Sequence, residues 1–223
     1  MAPTPVPPTT WRLEPPPDDH PGDLWAVGAD LEPGTLLAAY GLGLFPMPFG
    51  DTIGWFSPTR RAIVPLADYV PSRSLRRAAR RYEIRVDAAF GDVIRGCVRP
   101  GDPASWIDPE IVAAYETLHR LGWAHSVEAY DDEGLAGGLY GVALGGLFAA
   151  ESMFFRRADA SKAAFAALVQ RLQATDVENR MLDVQWLTPH LASLGAVDLS
   201  RREYRQRLTV ASTRPSPFVE TSA

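Results

Sequence analysis

From Tyr82 to Leu208 the apolar residues switch repeatedly between strand and helix periods, and that succession constrains the fold more than any other feature of the chain. YEIRVD alternates, as a half-buried strand does, whereas AAFGDVIRGCV and DPEIVAAYETLHRLG keep the helical period. The second of these helices carries its own punctuation, with Asp108 at the N-cap, Pro109 in the first turn and Gly122 at the end. AHSVEAYDD, LAGGLYGVALGG and LFAAESMFF read as three consecutive strands, turned first by DDEG and then by a glycine pair. SKAAFAALVQRLQ is an amphipathic helix, MLDVQWL a strand, HLASLG a short helix, AVDLS a strand and RREYRQRL a last helix. The order β-α-α-β-β-β-α-β-α-β predicts an α+β domain over residues 82–208 with a mixed central sheet and helices on its faces.

The remaining chain divides by composition. Residues 1–22 are proline-rich, with neither a basic start nor an apolar core, so they predict a disordered extended arm rather than a secretion signal. Residues 23–81 hold a short helix (LEPGTLLAAYGLG), two strand-like pieces (IGWFS and RAIVPL) and a basic helix, and predict a small N-terminal mixed lobe. Residues 209–223 are expected to be a disordered tail. No run of about 18 apolar residues occurs, so no membrane span is expected. The single cysteine, Cys97, excludes an internal disulfide and fits a reduced cytoplasm.

Two stretches carry candidate chemistry. In MLDVQWL, Leu182, Val184 and Trp186 are expected to face one way and Asp183 and Gln185 the other. A carboxylate in a buried strand costs several kcal/mol, roughly, unless it is partnered, so the pair is either satisfied structurally or lines a reaction cavity. In SRSLRRAARRYEIR, Arg73, Arg76, Arg77, Arg80 and Arg81 share one helical face, with Arg85 just beyond. That face suits several phosphates, although arginine is also the default cation of a chain whose one lysine is Lys162. The net charge of -5 argues against indiscriminate coating of nucleic acid. The histidines His20, His119, His125 and His190 lack metal-ligand spacing, so no metal is expected. No G-x-S-x-G elbow, phosphate loop or C-x-x-C occurs.

The element order is similar to that of acetyl-coenzyme A-dependent N-acetyltransferases, the GNAT fold. Those enzymes cradle a pyrophosphate on a glycine-rich loop before the helix that follows the fourth strand; here that loop reads RRADASK and has no glycine. More specifically, the chain resembles the leucyl/phenylalanyl-tRNA–protein transferases of bacteria over residues 24–208. The resemblance rests on AVGADL with LLAAYGLGLFP, then GWFSP, SRSLRR, SWI, AYETLHRLGWAHSVE, GGLYGVALG, AESMFF with ASK, and LDVQ with HLASLGA, in that order.

The resemblance implies a GNAT-like enzyme that moves leucine or phenylalanine, or methionine, from aminoacyl-tRNA to the N-terminal Arg or Lys of an acceptor protein, marking it for degradation. It implies no cofactor, because the donor is an activated ester, and a cytoplasmic monomer. The implied catalytic residues are Asp183 and Gln185, with Glu151 holding either a ribose hydroxyl or the acceptor's cation; the alternative for Glu151 is a salt bridge to Arg156 or Arg157. The implied amino-acid pocket is Leu139, Phe148, Met153, Phe165, Leu168 and Leu182. The implied tRNA contacts are Trp106 and Tyr115 as stacking surfaces, Met47 where the family has a tryptophan, the arginines Arg73, Arg76, Arg77 and Arg80, and Lys162. Ala150 stands where the family has glycine, and GWFSPTRR replaces W-S-P-D-P-R. The alternatives are an acetyl-coenzyme A N-acetyltransferase and a tRNA-binding module without activity.

Overall fold

The computed structural model describes residues 2–102, 105–174 and 176–219. The elements run β1 (Leu24–Val27), α1 (Pro33–Gly41), β2 (Phe45–Phe49), β3 (Thr52–Phe56), β4 (Arg60–Val64), α2 (Arg73–Ala79), β5 (Glu83–Val86), α3 (Phe90–Cys97), α4 (Pro109–Arg120), β6 (Ala124–Asp131), β7 (Gly134–Leu144), β8 (Leu147–Phe155), α5 (Ala160–Gln173), β9 (Met181–Asp183), α6 (Pro189–Ser193), β10 (Val197–Ser200) and α7 (Arg201–Ala211). From β5 onward they follow the order expected from the sequence. The caps explain several boundaries: the side chains of Ser72, Asp108, Thr188 and Ser200 each accept a backbone N–H in the first turn of α2, α4, α6 and α7.

The architecture is α+β with a mixed central sheet. Its seven strands lie in the order β10-β4-β9-β8-β7-β6-β5, and a separate sheet has the order β1-β3-β2. Every neighbouring pair is antiparallel except β8 and β9, which the α5 crossover makes parallel. One face of the large sheet is covered by α5, over Leu139, Ala143, Phe148, Leu182 and Val184. The other is covered by α1, α3 and α4, around Tyr140, Val142 and Ala149, and by α7, around Ile63, Leu147 and Met181.

The domain limits differ from those expected. β4 belongs to the large sheet, between β10 and β9, and α2 packs on α5. What remains of the small lobe is β1–β3 and α1. The proline-rich arm is extended but tied down. Thr4 N–H donates to Leu121 O (2.8 Å), Trp123 Nε1 donates to Thr4 O (2.8 Å), and Trp25 Nε1 donates to Glu14 O (2.7 Å). Pro7 O lies so close to Gly34 that a β-carbon there would sit 2.2 Å from it. The segment after α7 is also packed, with Phe218 buried. Met1 and residues 220–223, at the ends of the two expected tails, lie outside the described residues. Among the described residues no helix is long and apolar enough to cross a membrane.

Candidate active site

β9 is only three residues long, and its last residue organises the site. Asp183 is paired in register with Ala149 of β8 on one side and Ile63 of β4 on the other. Its side chain therefore points to the α7 face, and it is wholly buried. Two residues before Ile63 on the same face stands Arg61, also wholly buried. The guanidinium meets the carboxylate as a fork, Nε to Oδ1 at 2.8 Å and Nη2 to Oδ2 at 2.6 Å. Tyr204 of α7 donates to Oδ2 at 2.9 Å, and the backbone N–H of Gln185 donates to Oδ1 at 2.9 Å. Arg61 lies against the rings of Phe45 (4.5 Å) and Tyr204 (4.7 Å) and donates to Gly43 O at 3.3 Å. Burial, the largest single influence, lowers the Arg61 pKa, but the Asp183 charge and hydrogen bonds together with Tyr204 and Glu151 outweigh it and the net shift is upward.

The strand does not continue to Gln185. Its φ of 56° lies in the left-handed region, held by the bond from its N–H to Asp183 and by Ala62 N–H donating to Gln185 O (2.8 Å). Trp186 consequently leaves the face of Leu182 and Val184. It packs instead on Phe45 (4.9 Å) and Phe56 (5.9 Å), with Nε1 on Asp23 at 2.8 Å. This corrects the simple alternation expected for MLDVQWL. Asp183 and Gln185 meet through the Gln185 backbone N–H; the Gln185 side chain reaches Glu151, Nε2 to Oε1 at 3.1 Å.

Glu151 arrives at that point through a β-bulge. Tyr140 pairs with Ser152 and Gly141 with Ala150, so Glu151 is the extra residue of β8. The bulge also restarts the alternation, leaving Met153 on the α5 side and Phe154 in the core beneath α3 and α4. Glu151 has no ion pair with Arg156 or Arg157; its second oxygen accepts from the Tyr115 hydroxyl at 3.5 Å, and the Tyr115 hydroxyl in turn bonds that of Tyr40. Burial above all, and the Asp183 charge, push Glu151 up to about 8 against the opposing hydrogen bonds from Tyr40 and Tyr115 and the Arg61 charge. Burial and Glu151 raise both tyrosines as well, so they stay protonated donors.

β8 and β9 pair only from Leu147–Met181 to Ala149–Asp183. Beyond Ala149 there is no β8–β9 ladder, and the hydrogen bond between the Gln185 and Glu151 side chains lies just past its end. The six residues expected to select the amino acid are together, but on the α5 face, opposite Asp183. Leu139, Phe148, Phe165, Leu168 and Leu182 are fully buried there, with Met153 half-buried against them.

The expected tRNA contacts are scattered. Met47 and Trp106 are half-buried at the edge of the core formed with α1 and α4. Tyr115 is fully buried with its ring edge-on to Tyr140, so it offers no face for a base and enters the site through its hydroxyl; this corrects its expected stacking role. Arg73, Arg76, Arg77 and Arg80 are exposed and together line one surface concavity. They make no ion pair among the described residues, whereas Arg81 pairs with Asp159 at 3.7 Å and Arg85 with Glu83 at 2.8 Å. Lys162 pairs with Asp159 at 3.0 Å and lines a cleft of about 420 Å³ with Tyr69, Ser72 and Leu75. Arg61, Tyr204 and Tyr40 were not singled out from the sequence; the one available signal was that Arg61, two before Ile63, falls on the same face of a buried strand.

The family model for leucyl/phenylalanyl-tRNA protein transferase matches residues 63–209, and that for the N-terminal domain of the same proteins matches residues 29–59. The chain belongs to this family. Curated members named leucyl/phenylalanyl-tRNA–protein transferase agree: one from Anaeromyxobacter sp. (strain Fw109-5) is 49% identical over 203 residues, 88% of this chain and 86% of that one. Another, from Chlorobium phaeobacteroides, is 47% identical over 190 residues, 82% of this chain and 97% of that one. The two family segments meet between Thr59 and Ile63, where the structure passes from the small sheet into β4. Among solved structures, L-PGS from Bacillus licheniformis overlaps with a TM-score of 0.38 at 14% identity, over 73% of this chain and 55% of that one. A likeness that loose carries no argument.

Proposed function

We propose that this chain is an aminoacyltransferase that moves leucine or phenylalanine from aminoacyl-tRNA to the N-terminal Arg or Lys of an acceptor protein, working as a cytoplasmic monomer on a GNAT-like domain. The observation that carries it is the family match across both segments, residues 29–59 and 63–209. The end of the β8–β9 ladder at Ala149–Asp183, with Glu151 and Gln185 hydrogen-bonded to each other just beyond it, supports the reading. In this reading the donor's side chain goes to the α5-side apolar cluster and its ester to the polar group of Asp183, Gln185 and Glu151.

In the reaction the acceptor amine nitrogen bonds to the ester carbon, the carbon–oxygen bond to the ribose breaks, and the amine's proton ends on the released ribose hydroxyl. No external energy source is required. Because Gln185 gives its Nε2 to Glu151, its carbonyl oxygen is turned away to accept a hydrogen bond from the incoming amine and aim its lone pair. An amide is too weak a base to do more. Asp183 fixes the backbone of Gln185, and Arg61 and Tyr204 fix Asp183, so the rate enhancement comes from alignment. The arginines of α2 are suited to the phosphates of the tRNA acceptor stem. Trp106 and Met47 border the lobe where the terminal adenosine would lie.

The test is direct: radiolabelled leucyl-tRNA and a peptide beginning with arginine, with and without the protein. Labelled peptide is expected, and none with a peptide beginning with glutamate. Binding of tRNA without transfer would identify an inactive tRNA-binding module instead. Family membership does not favour an acetyl-coenzyme A enzyme; a calorimetric titration with coenzyme A is expected to give no heat of binding.

A further inference from the structure

The segment after α7 lies beyond the family match, which ends at residue 209, yet it is built into the molecule. It crosses the β7–β8 turn so closely that a β-carbon on Gly145 would sit 2.3 Å from Ser212 O. Gly146 N–H donates to Ala211 O at 2.8 Å. Arg180 then holds Pro215 O at 3.1 Å, and Arg171 of α5 holds Pro217 O at 3.1 Å. These contacts deliver Phe218 into the α5 face of the large sheet. Its ring stacks on His125 at 4.2 Å and on Phe148 at 5.2 Å, with the Arg171 guanidinium 4.9 Å from its centroid. His125 is itself pinned by Asp87 at 2.7 Å, so the surface behind Phe218 is fixed.

Phe148 is thus backed by Phe218. It shares its face and register with Leu182 and belongs to the same apolar cluster as Leu139, Phe165 and Leu168. We infer that Phe218 is a positioning residue for donor selection: by holding the Phe148 ring in place from behind, the C-terminal segment sets how deep the amino-acid pocket is. This rests on the proposed aminoacyl transfer and on Phe148 lining the pocket. With Phe218 in place, Phe148 cannot retreat, and the pocket ends at its ring. With Phe218 removed, Phe148 gains room to move away, and the pocket lengthens on the side where the longer donor, phenylalanine, needs space.

The experiment uses the full chain and its variants Phe218→Ala and Phe218→Leu, with leucyl- and phenylalanyl-tRNA as donors and an arginine-led peptide as acceptor. The ratio of kcat/KM for phenylalanine over leucine is expected to rise about tenfold in Phe218→Ala, the scale of a pocket misfit. Phe218→Leu should fall between, the change should reside in the donor's KM, and the KM for the peptide should stay put. Thermal melting separates loss of fold from loss of selection, and Phe218→Leu supplies the ratio if Phe218→Ala does not fold. Equal losses with both donors, or an unchanged ratio, would reduce Phe218 to a structural plug and overturn the inference. If the unaltered chain transfers neither amino acid, the proposed activity fails first and takes this inference with it.

Discussion

Two sets of arginines, twelve residues apart in sequence, live under opposite conditions. Arg61 is sealed in the core with every nearby acceptor aimed at it: both Asp183 oxygens, Gly43 O, and the faces of Phe45 and Tyr204. Arg73, Arg76 and Arg77 of α2, and Arg80 just after it, stand exposed, paired with no carboxylate among the described residues. Burial makes the first a rigid strut, because a charge taken out of water must be fully answered by its partners. Exposure leaves the second set free to meet an anion from outside, at little cost to the fold. The adjacent Arg60 shows how fine the distinction is: one residue from Arg61 on the same strand, it is exposed and pairs with Asp198 at 2.7 Å. Strand alternation alone separates the two.

The strongest way to break the comparison is Arg61→Ala. It strands Asp183 without a counter-charge and is expected to cost about 3–5 kcal/mol in chemical denaturation. Arg61→Lys should recover only part of this, since an ammonium cannot make the two-pronged contact. A melt like that of the unaltered chain would show that the pair is not a strut.

Next in size is Glu151, the other buried acid of the site. Its pKa rises from 4.5 to about 8 on folding. The folded chain therefore binds the extra proton between those values. The stability contributed by this group is full below the unfolded value and is lost as pH climbs through about 8, by up to about 1.4 kcal/mol per pH unit. Comparing melting curves of the unaltered chain and Glu151→Gln across that window should expose the slope in the first and not in the second. Parallel curves would mean that Glu151 is solvated after all.

The exposed set should behave in the opposite way. Replacing Arg76, Arg77 and Arg80 together by Glu is expected to change stability by no more than about 0.5 kcal/mol per substitution. The same change should weaken tRNA binding and flatten its salt dependence by close to one unit for each phosphate no longer neutralised. An unaltered salt slope would demote α2 to ordinary surface. The smallest effect is expected from Arg81→Ala. Sequence periodicity puts Arg81 on the same face, but its interaction with Asp159 engages it within the molecule, so the tRNA salt slope should hardly move.

Much of the large domain was legible in the sequence. From β5 to α7 the element order follows from periodicity, and Asp108 announces the start of α4 by local chemistry. β1 and β2 were not legible, because LWAV is short and FPMPF carries two prolines, each of which weakens a strand signal. The site was half legible. Asp183 and Gln185 stood out as polar residues in an apolar stretch. The turn at Gln185 and the bulge at Glu151 did not, since neither contains the glycine that usually marks such geometry.

What the amino-acid order determined by itself is local: which stretches become helices or strands, where their caps fall, and that an acid and an amide sit two apart in an apolar stretch. Which charges answer which was decided only in three dimensions. Arg61 and Asp183 are separated by 122 positions, and Phe218 reaches Phe148 from the far end of the chain. Local propensity acts over one or two turns, whereas desolvation acts on whatever the fold brings together. The partner that rescues a buried charge, or backs a pocket wall, therefore exists only once the sheet has set its order.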